Sequence, residues 1–187
     1  IATSVASGRV SPWEIAMMCA FLGIASAFPC DIGCAVARSE RKVTGMSDVV
    51  VIGAGQAGAS CVAKLRSLGF DGGITLIGAE AVPPYQRPPL SKGYLLGDMA
   101  LERLFLRPES YYAEQGIDLR LNAWVTGVDT DARTVVMGDE ALRYDDLVLA
   151  TGSIPRRLPA SIGGDLDGVF VMRDLGDADA MASEFVP

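Results

Sequence analysis

The chain has 187 residues, half of them hydrophobic, with 23 acidic against 16 basic side chains, a net charge of -7 and no histidine. That length holds one good α/β core with extras and is small for two, and the negative balance excludes a nucleic-acid face, which needs clustered cations. Without histidine there is no Ser-His-Asp or Cys-His nucleophile and the commonest general base is missing, so redox or transfer chemistry falls to a cofactor.

Residues 1–45 differ in kind from the remainder of the chain. Ile15 to Phe28 is an uncharged apolar run, too short to span a bilayer yet about right for a signal-peptide core, with Arg9 upstream and Ala25-Ser26-Ala27 as a cleavage-like site. Met46 stands directly before the first strong strand, where a nucleotide-binding α/β domain ordinarily begins. Residues 1–45 are therefore expected to be an extension outside the domain; a targeting or anchoring segment, which would export or anchor the chain, and a core-packing helix are the other readings. Cys19, Cys30, Cys34 and Cys61 form no CxxC pair, and the Cys30/Cys34 spacing has no second half to complete a zinc site. No metal is expected.

Asp48 to Gly58 reads DVVVIGAGQAG. Val49 to Ile52 is β-branched and uninterrupted, as in a central parallel strand buried on both faces, with helices expected on either side. Three glycines come next at GxGxxG spacing. Gly53 permits the tight turn, Gly55 removes a Cβ that would block a pyrophosphate, and Gly58 lets the next helix approach the strand. Helix N-terminal amides then receive the phosphates, which places Gln56 and Ala57 in the site. The helix runs to Arg66, with Gly69 at its left-handed cap. Ile74 to Ile77 is the second strand, and Glu80, 22 residues after Gly58, stands where a carboxylate accepts from both ribose hydroxyls and repels a 2′-phosphate. A merely solvated glutamate is the plain alternative.

Ala81 to Leu96 reads AVPPYQRPPLSKGYLL. Four prolines in seven residues stiffen a loop that can be neither regular helix nor central strand. Arg87 offers planar bidentate donors for a pyrophosphate or ribose, and Lys92 a point charge at the start of a short helical turn. Pro108 to Gln115 reads as a helix closed by Gly116, and Asp118 to Leu121 as a third parallel strand. Val125 to Asp129, Thr134 to Met137 and Ala141 to Tyr144, separated by turn residues, read as an antiparallel meander inserted as a crossover. Leu147 to Ala150 is a further apolar strand ending in Thr151-Gly152-Ser153, where a glycine lets backbone approach the ligand again. Arg156 and Arg157 come after it, and the plain reading of this stretch is a strand-to-loop turn with two surface arginines. The expected fold is α/β: a Rossmann-like nucleotide-binding domain with a parallel sheet and the inserted meander.

From about Met46 onward the sequence resembles the FAD-dependent NAD(P)H reductases of ferredoxins and rubredoxins, which feed cytochrome P450s and aromatic-ring dioxygenases. The pairing of VVVIGAGQAG with PPYQRPPLSKGYL carries the resemblance. It implies that FAD is the cofactor and NAD(P)H the donor, and that Gly53, Gly55 and Gly58 form the pyrophosphate turn with Glu80 at the ribose. It further implies that Arg87 contacts FAD, that Lys92 lies near the flavin ring, and that Val125 holds adenine through main-chain atoms. Val125 as a core-filling strand residue is nearly as good a reading. Ala150, Thr151 and Gly152 match the family's ATG segment, and Arg156 resembles a further FAD contact, with Arg157 competing for that role.

A second GxGxxG for NAD(P)H, which the family carries after the ATG segment, is not in this sequence. Residues 46–160 are thus expected to be the FAD-binding domain and 161–187, including Val169 to Arg173 and the acidic Asp174 to Asp179, the start of a connection toward an absent NAD(P)H-binding domain. The chain would then be an amino-terminal fragment, expected to be inactive alone. The implied activity is an oxidoreductase passing electrons from NAD(P)H through FAD to a ferredoxin or rubredoxin in the cytoplasm, with no membrane contact for 46–187. Arg103 and Arg107 are candidates for a basic docking face. The lack of a cysteine pair beside the flavin loop argues against disulfide reduction. A NAD-dependent dehydrogenase domain and a non-enzymatic flavin-binding redox module are the alternatives.

Overall fold

Val49–Ile52 (β1) is flanked by two parallel neighbours, and every one of its side chains is buried. The computed structural model describes residues 47–185; the readings of residues 1–45 lie outside the described residues. After β1 come Gln56–Ser67 (α1), Ile74–Ile77 (β2), Glu109–Glu114 (α2), Ile117–Arg120 (β3), Gly127–Asp129 (β4), Thr134–Met137 (β5), Glu140–Arg143 (β6), Asp146–Leu149 (β7) and Leu175–Ser183 (α3). The parallel sheet has the order β3-β2-β1-β7, and β4-β5-β6 form a separate antiparallel sheet.

Alternation along β1 divides the core. Val49 and Val51 pack with Val62, Ile74, Leu76, Tyr112 and Ile117 on the side of α1 and α2. Val50 and Ile52 pack with Ile77, Val135, Met137 and Tyr144 on the other. Helices were expected on both faces of this strand; among the described residues the second face is covered by the antiparallel sheet. The inward positions of β5 and Tyr144 offer a continuous apolar surface, which satisfies a buried parallel strand as well as a helix does. Each fully buried Val or Ile side chain contributes about 1.5–3 kcal/mol relative to exposure.

Turn chemistry fixes where α1 stops. Gly69 has φ +81°, its amide donates to Arg66 O (3.0 Å), and the Phe70 amide donates to Leu65 O (3.1 Å), a left-handed glycine cap. The Arg66 guanidinium then donates to the carbonyls of Phe70, Gly72, Gln115 and Gly116 at 2.7–2.8 Å, tying the end of α1 to the approach of β2 and the end of α2.

The proline-rich segment forms its own cluster. Tyr85, Leu90, Leu104 and Ala178 are buried together, with Met172 and Leu175 packed against them. Within residues 161–187, expected to be the start of a connection toward a further domain, Asp174 caps a helix. Its carboxylate accepts from the Asp177 amide (3.0 Å), while the Asp177 side chain accepts from the Asp174 amide (3.2 Å), a reciprocal cap that satisfies the first-turn donors. The apolar Ala178 face then docks on the loop. Pro88–Ser91 is a 3-10 turn, and Lys92 ends it rather than starting it, because the Lys92 amide donates back to Pro89 O (2.9 Å).

Candidate functional site

The three glycines of the turn after β1 do three different things. Gly53 has φ +110°, and a Cβ built on it would lie 2.2 Å from Ala150 O. A Cβ on Gly58 would lie 2.0 Å from Gly53 O. Both glycines are therefore required by the chain itself, which packs the turn against the end of β7 and α1 against the turn. Gly55 has φ -83°, a conformation open to any residue, and a Cβ there would meet nothing within 4 Å. The space in front of Gly55 is what a diphosphate needs. Gln56 and Ala57 are exposed in the first turn of α1, whose amides have no intrahelical acceptor, and the first turn carries no acidic residue to compete with an anion.

Glu80 and Arg87, expected as separate ligands, are brought together. Arg87 Nη2 donates to Glu80 Oε1 (2.6 Å), and the Tyr85 hydroxyl donates to Glu80 Oε2. Arg87 also donates to the Arg173 carbonyl and lies 5.3 Å from the Tyr85 ring centre. An ionised carboxylate has about four acceptor sites, so one Arg and one Tyr donor leave room for two ribose hydroxyls. The Tyr85 hydroxyl in turn accepts from the Leu175 amide (2.9 Å).

Burial first, and then the hydrogen bond to Glu80, push the Tyr85 phenol well above its usual value of 10. Since the folded value lies above the unfolded one, Tyr85 contributes its stability fully below pH 10 and loses it as the pH rises further. Tyr85→Phe is expected to cost about 1–2 kcal/mol at pH 7 and to soften the alkaline fall of the melting temperature; an unaltered melting curve at both pH values would contradict this.

The strand ends lay out the remaining candidates. The Asn122 amide donates to Glu80 O and the Ala123 amide to Gly78 O, both at 2.9 Å, so the segment reaching Val125 runs beside the Glu80 loop. Val125 is half-buried against the core cluster, and among the described residues its backbone makes no hydrogen bond. Ala150 lies against Gly53, while Thr151 and Gly152 are exposed, with Gly152 at φ +74°. Lys92 is exposed and donates to Pro88 O (3.1 Å). Arg156 is exposed in an irregular stretch and is not joined to the other candidates among the described residues. Arg173 belongs to no sequence motif, yet the fold brings it to the site: a Cβ on Gly152 would lie 3.1 Å from its Nη2, and its carbonyl holds Arg87. Its only sequence signal is its place one residue before the Asp174 cap.

Cys61 is half-buried, its thiol pushed up by burial, and it is the one cysteine among the described residues. Among those residues no helix is long and apolar enough to cross a membrane.

The chain is 46% identical over 136 residues to rhodocoxin reductase of Rhodococcus erythropolis, covering 72% of this chain and 32% of that protein. It is 40% identical over 139 residues to a rubredoxin-NAD(+) reductase of Pseudomonas putida, covering 74% and 36%. The solved covalent putidaredoxin reductase–putidaredoxin complex matches with a TM-score of 0.69 at 40% identity, covering 74% of this chain and 34% of that one. The chain thus spans about a third of the length of the relatives it matches. With residues 47–187 matching its profile, the chain belongs to the pyridine nucleotide-disulphide oxidoreductase family.

Proposed function

We propose that this chain binds FAD and forms the FAD-binding part of a cytoplasmic, NAD(P)H-dependent reductase of a ferredoxin or rubredoxin. The observation that carries the reading is Gly55: the fold would accept a side chain there, yet the position is glycine and faces open space at the amides that begin α1. The likeness to reductases named for rhodocoxin and rubredoxin supports the choice of partner. When bound, the flavin supplies two-electron acceptance from NAD(P)H and one-electron delivery to an iron-sulfur protein.

The chain's own residues bind and orient. The amides from Gly55 to Gly58 receive the diphosphate, and Glu80 accepts from the ribose while held in place by Arg87 and Tyr85. Arg87 and Arg156 supply positive charge, Val125 offers backbone atoms to adenine, and Ala150-Thr151-Gly152 brings backbone to the flavin side. The 187-residue chain refolded with excess FAD is expected to retain flavin absorbance, saturably and one to one, through gel filtration. Colourless protein would overturn the reading.

Lys92 places a cation on the loop beside the site, and a fixed positive charge near the ring favours the reduced, negatively charged flavin. Lys92→Met is expected to shift the midpoint potential of bound FAD to more negative values. An unchanged midpoint would remove Lys92 from this role.

A further inference from the structure

Trp124 is 72% exposed, and the segment that carries it is held rather than loose. From Leu121 to Gly127 exposure alternates residue by residue: Leu121, Ala123, Val125 and Gly127 are half-buried, and Asn122, Trp124 and Thr126 are exposed. Ala123 and Val125 pack against the cluster of Val50, Ile52 and Ile77. With Ala123 and Val125 turned to the core on either side of it, the exposed indole is directed away from the core. Hydrogen bonds from the Asn122, Ala123 and Thr126 amides, each 2.9 Å, bracket the residue. A tryptophan carries about 150–250 Å² of surface to bury, and here none of the apolar clusters takes it.

The order of the sheet says what could cover it. The diphosphate turn follows β1, Glu80 follows β2, and the next strand outward is β3, whose exit is the segment 121–125. A dinucleotide lying across the carboxyl ends of these strands has its ribose at Glu80 and its base one step further, beside residues whose backbone is bonded to the Gly78–Glu80 turn. Purines stack on aromatic side chains because each has a π face.

We propose that Trp124 forms one wall of the adenine subsite, its indole stacking on the purine while the neighbouring Val125 backbone addresses the purine edge. The proposal rests on the reading of Gly53 to Gly58 as the FAD diphosphate turn and adds to it a residue that selects for the adenosine half of the ligand.

Trp13 is the other of the two tryptophans, so in a Trp13→Phe background the emission reports on Trp124. Titration of that chain with ADP is expected to quench the emission saturably, whereas FMN, which lacks adenosine, leaves the stacking contact unmade and gives no ADP-like saturation. Trp124→Ala is expected to weaken ADP and FAD about ten-fold, equivalent to about 1.4 kcal/mol, with the ligand-free melting temperature unchanged and Trp124→Phe recovering most of the affinity. Normal uptake of FAD together with ADP-insensitive emission and wild-type affinity in Trp124→Ala overturns the stacking role and leaves the FAD reading standing. Failure of the parent chain to take up FAD or ADP at all overturns both.

Discussion

Replacing Gly55 by aspartate is expected to leave the ligand-free protein as stable as before, or more stable by a few tenths of a kcal/mol, while lowering its affinity for FAD by at least about 100-fold. The two effects have separate origins. Gly55 is the N-cap of α1 in an extended conformation, with no side-chain cap bond at present. Aspartate is a better N-cap than glycine by a few tenths of a kcal/mol, and its Cβ would meet no protein atom. The same carboxylate would occupy the space that the proposed diphosphate would fill, and like charges in contact cost several kcal/mol. A melting curve and a flavin titration on one preparation check both signs. A fall in stability would mean that the turn has no spare room at Gly55, and retained FAD affinity would mean that the diphosphate lies elsewhere.

Gly58→Ala is expected to do the reverse and strike the fold first. The added Cβ would stand 2.0 Å from Gly53 O and 3.2 Å from Leu76 Cδ1. The first contact is with backbone, so no side-chain rotation relieves it; α1 must move off the sheet. Overpacking of this kind costs about 3 kcal/mol at the upper end of the usual range, and in a domain of this size that lowers the melting temperature by about 10 °C. The measurement is a thermal melt of the ligand-free chain. A drop under about 2 °C would show that α1 slides without penalty.

Much of the scaffold was legible because its signals are local. Val49 to Ile52 has an unbroken apolar run, Gly69 and Gly116 sit after helical periods and do have φ of +81° and +61°, and the meander segments are separated by turn residues. Strands β1 and β2 and the meander's middle strand match their expected ranges to the residue, since each is bounded by glycine or a charged turn. The layer over the second face of β1 was not legible, because a buried strand states only that it is covered and not by what.

The α3 helix was missed for a different reason. Its sequence opens Asp174-Leu175-Gly176-Asp177, and a glycine beside two acids reads as a solvated turn. The spacing of Asp174 and Asp177 is nevertheless that of a reciprocal helix cap, and it could have been found there. Site residues divided along the same line. The glycines follow from backbone geometry and could be read singly. The partnership of Glu80 with Arg87, and the approach of Arg173 to Gly152, join residues 7 and 21 positions apart in sequence, and such pairings exist only once the loop and α3 have closed on one another. Trp124 shows the same limit: one tryptophan in a short connecting stretch says nothing until the alternation of burial around it is seen.

Three tethers run from the proline-rich loop to the last helix and its entry: Arg87 to the Arg173 carbonyl, Tyr85 to the Leu175 amide, and Tyr94 to Asp179 at 2.8 Å. The guanidinium that fastens the first is also one that an anionic ligand would draw on. If FAD draws on Arg87 as proposed, its binding and the seating of the last described helix on the loop share one group, and each would shift the other by the same free energy.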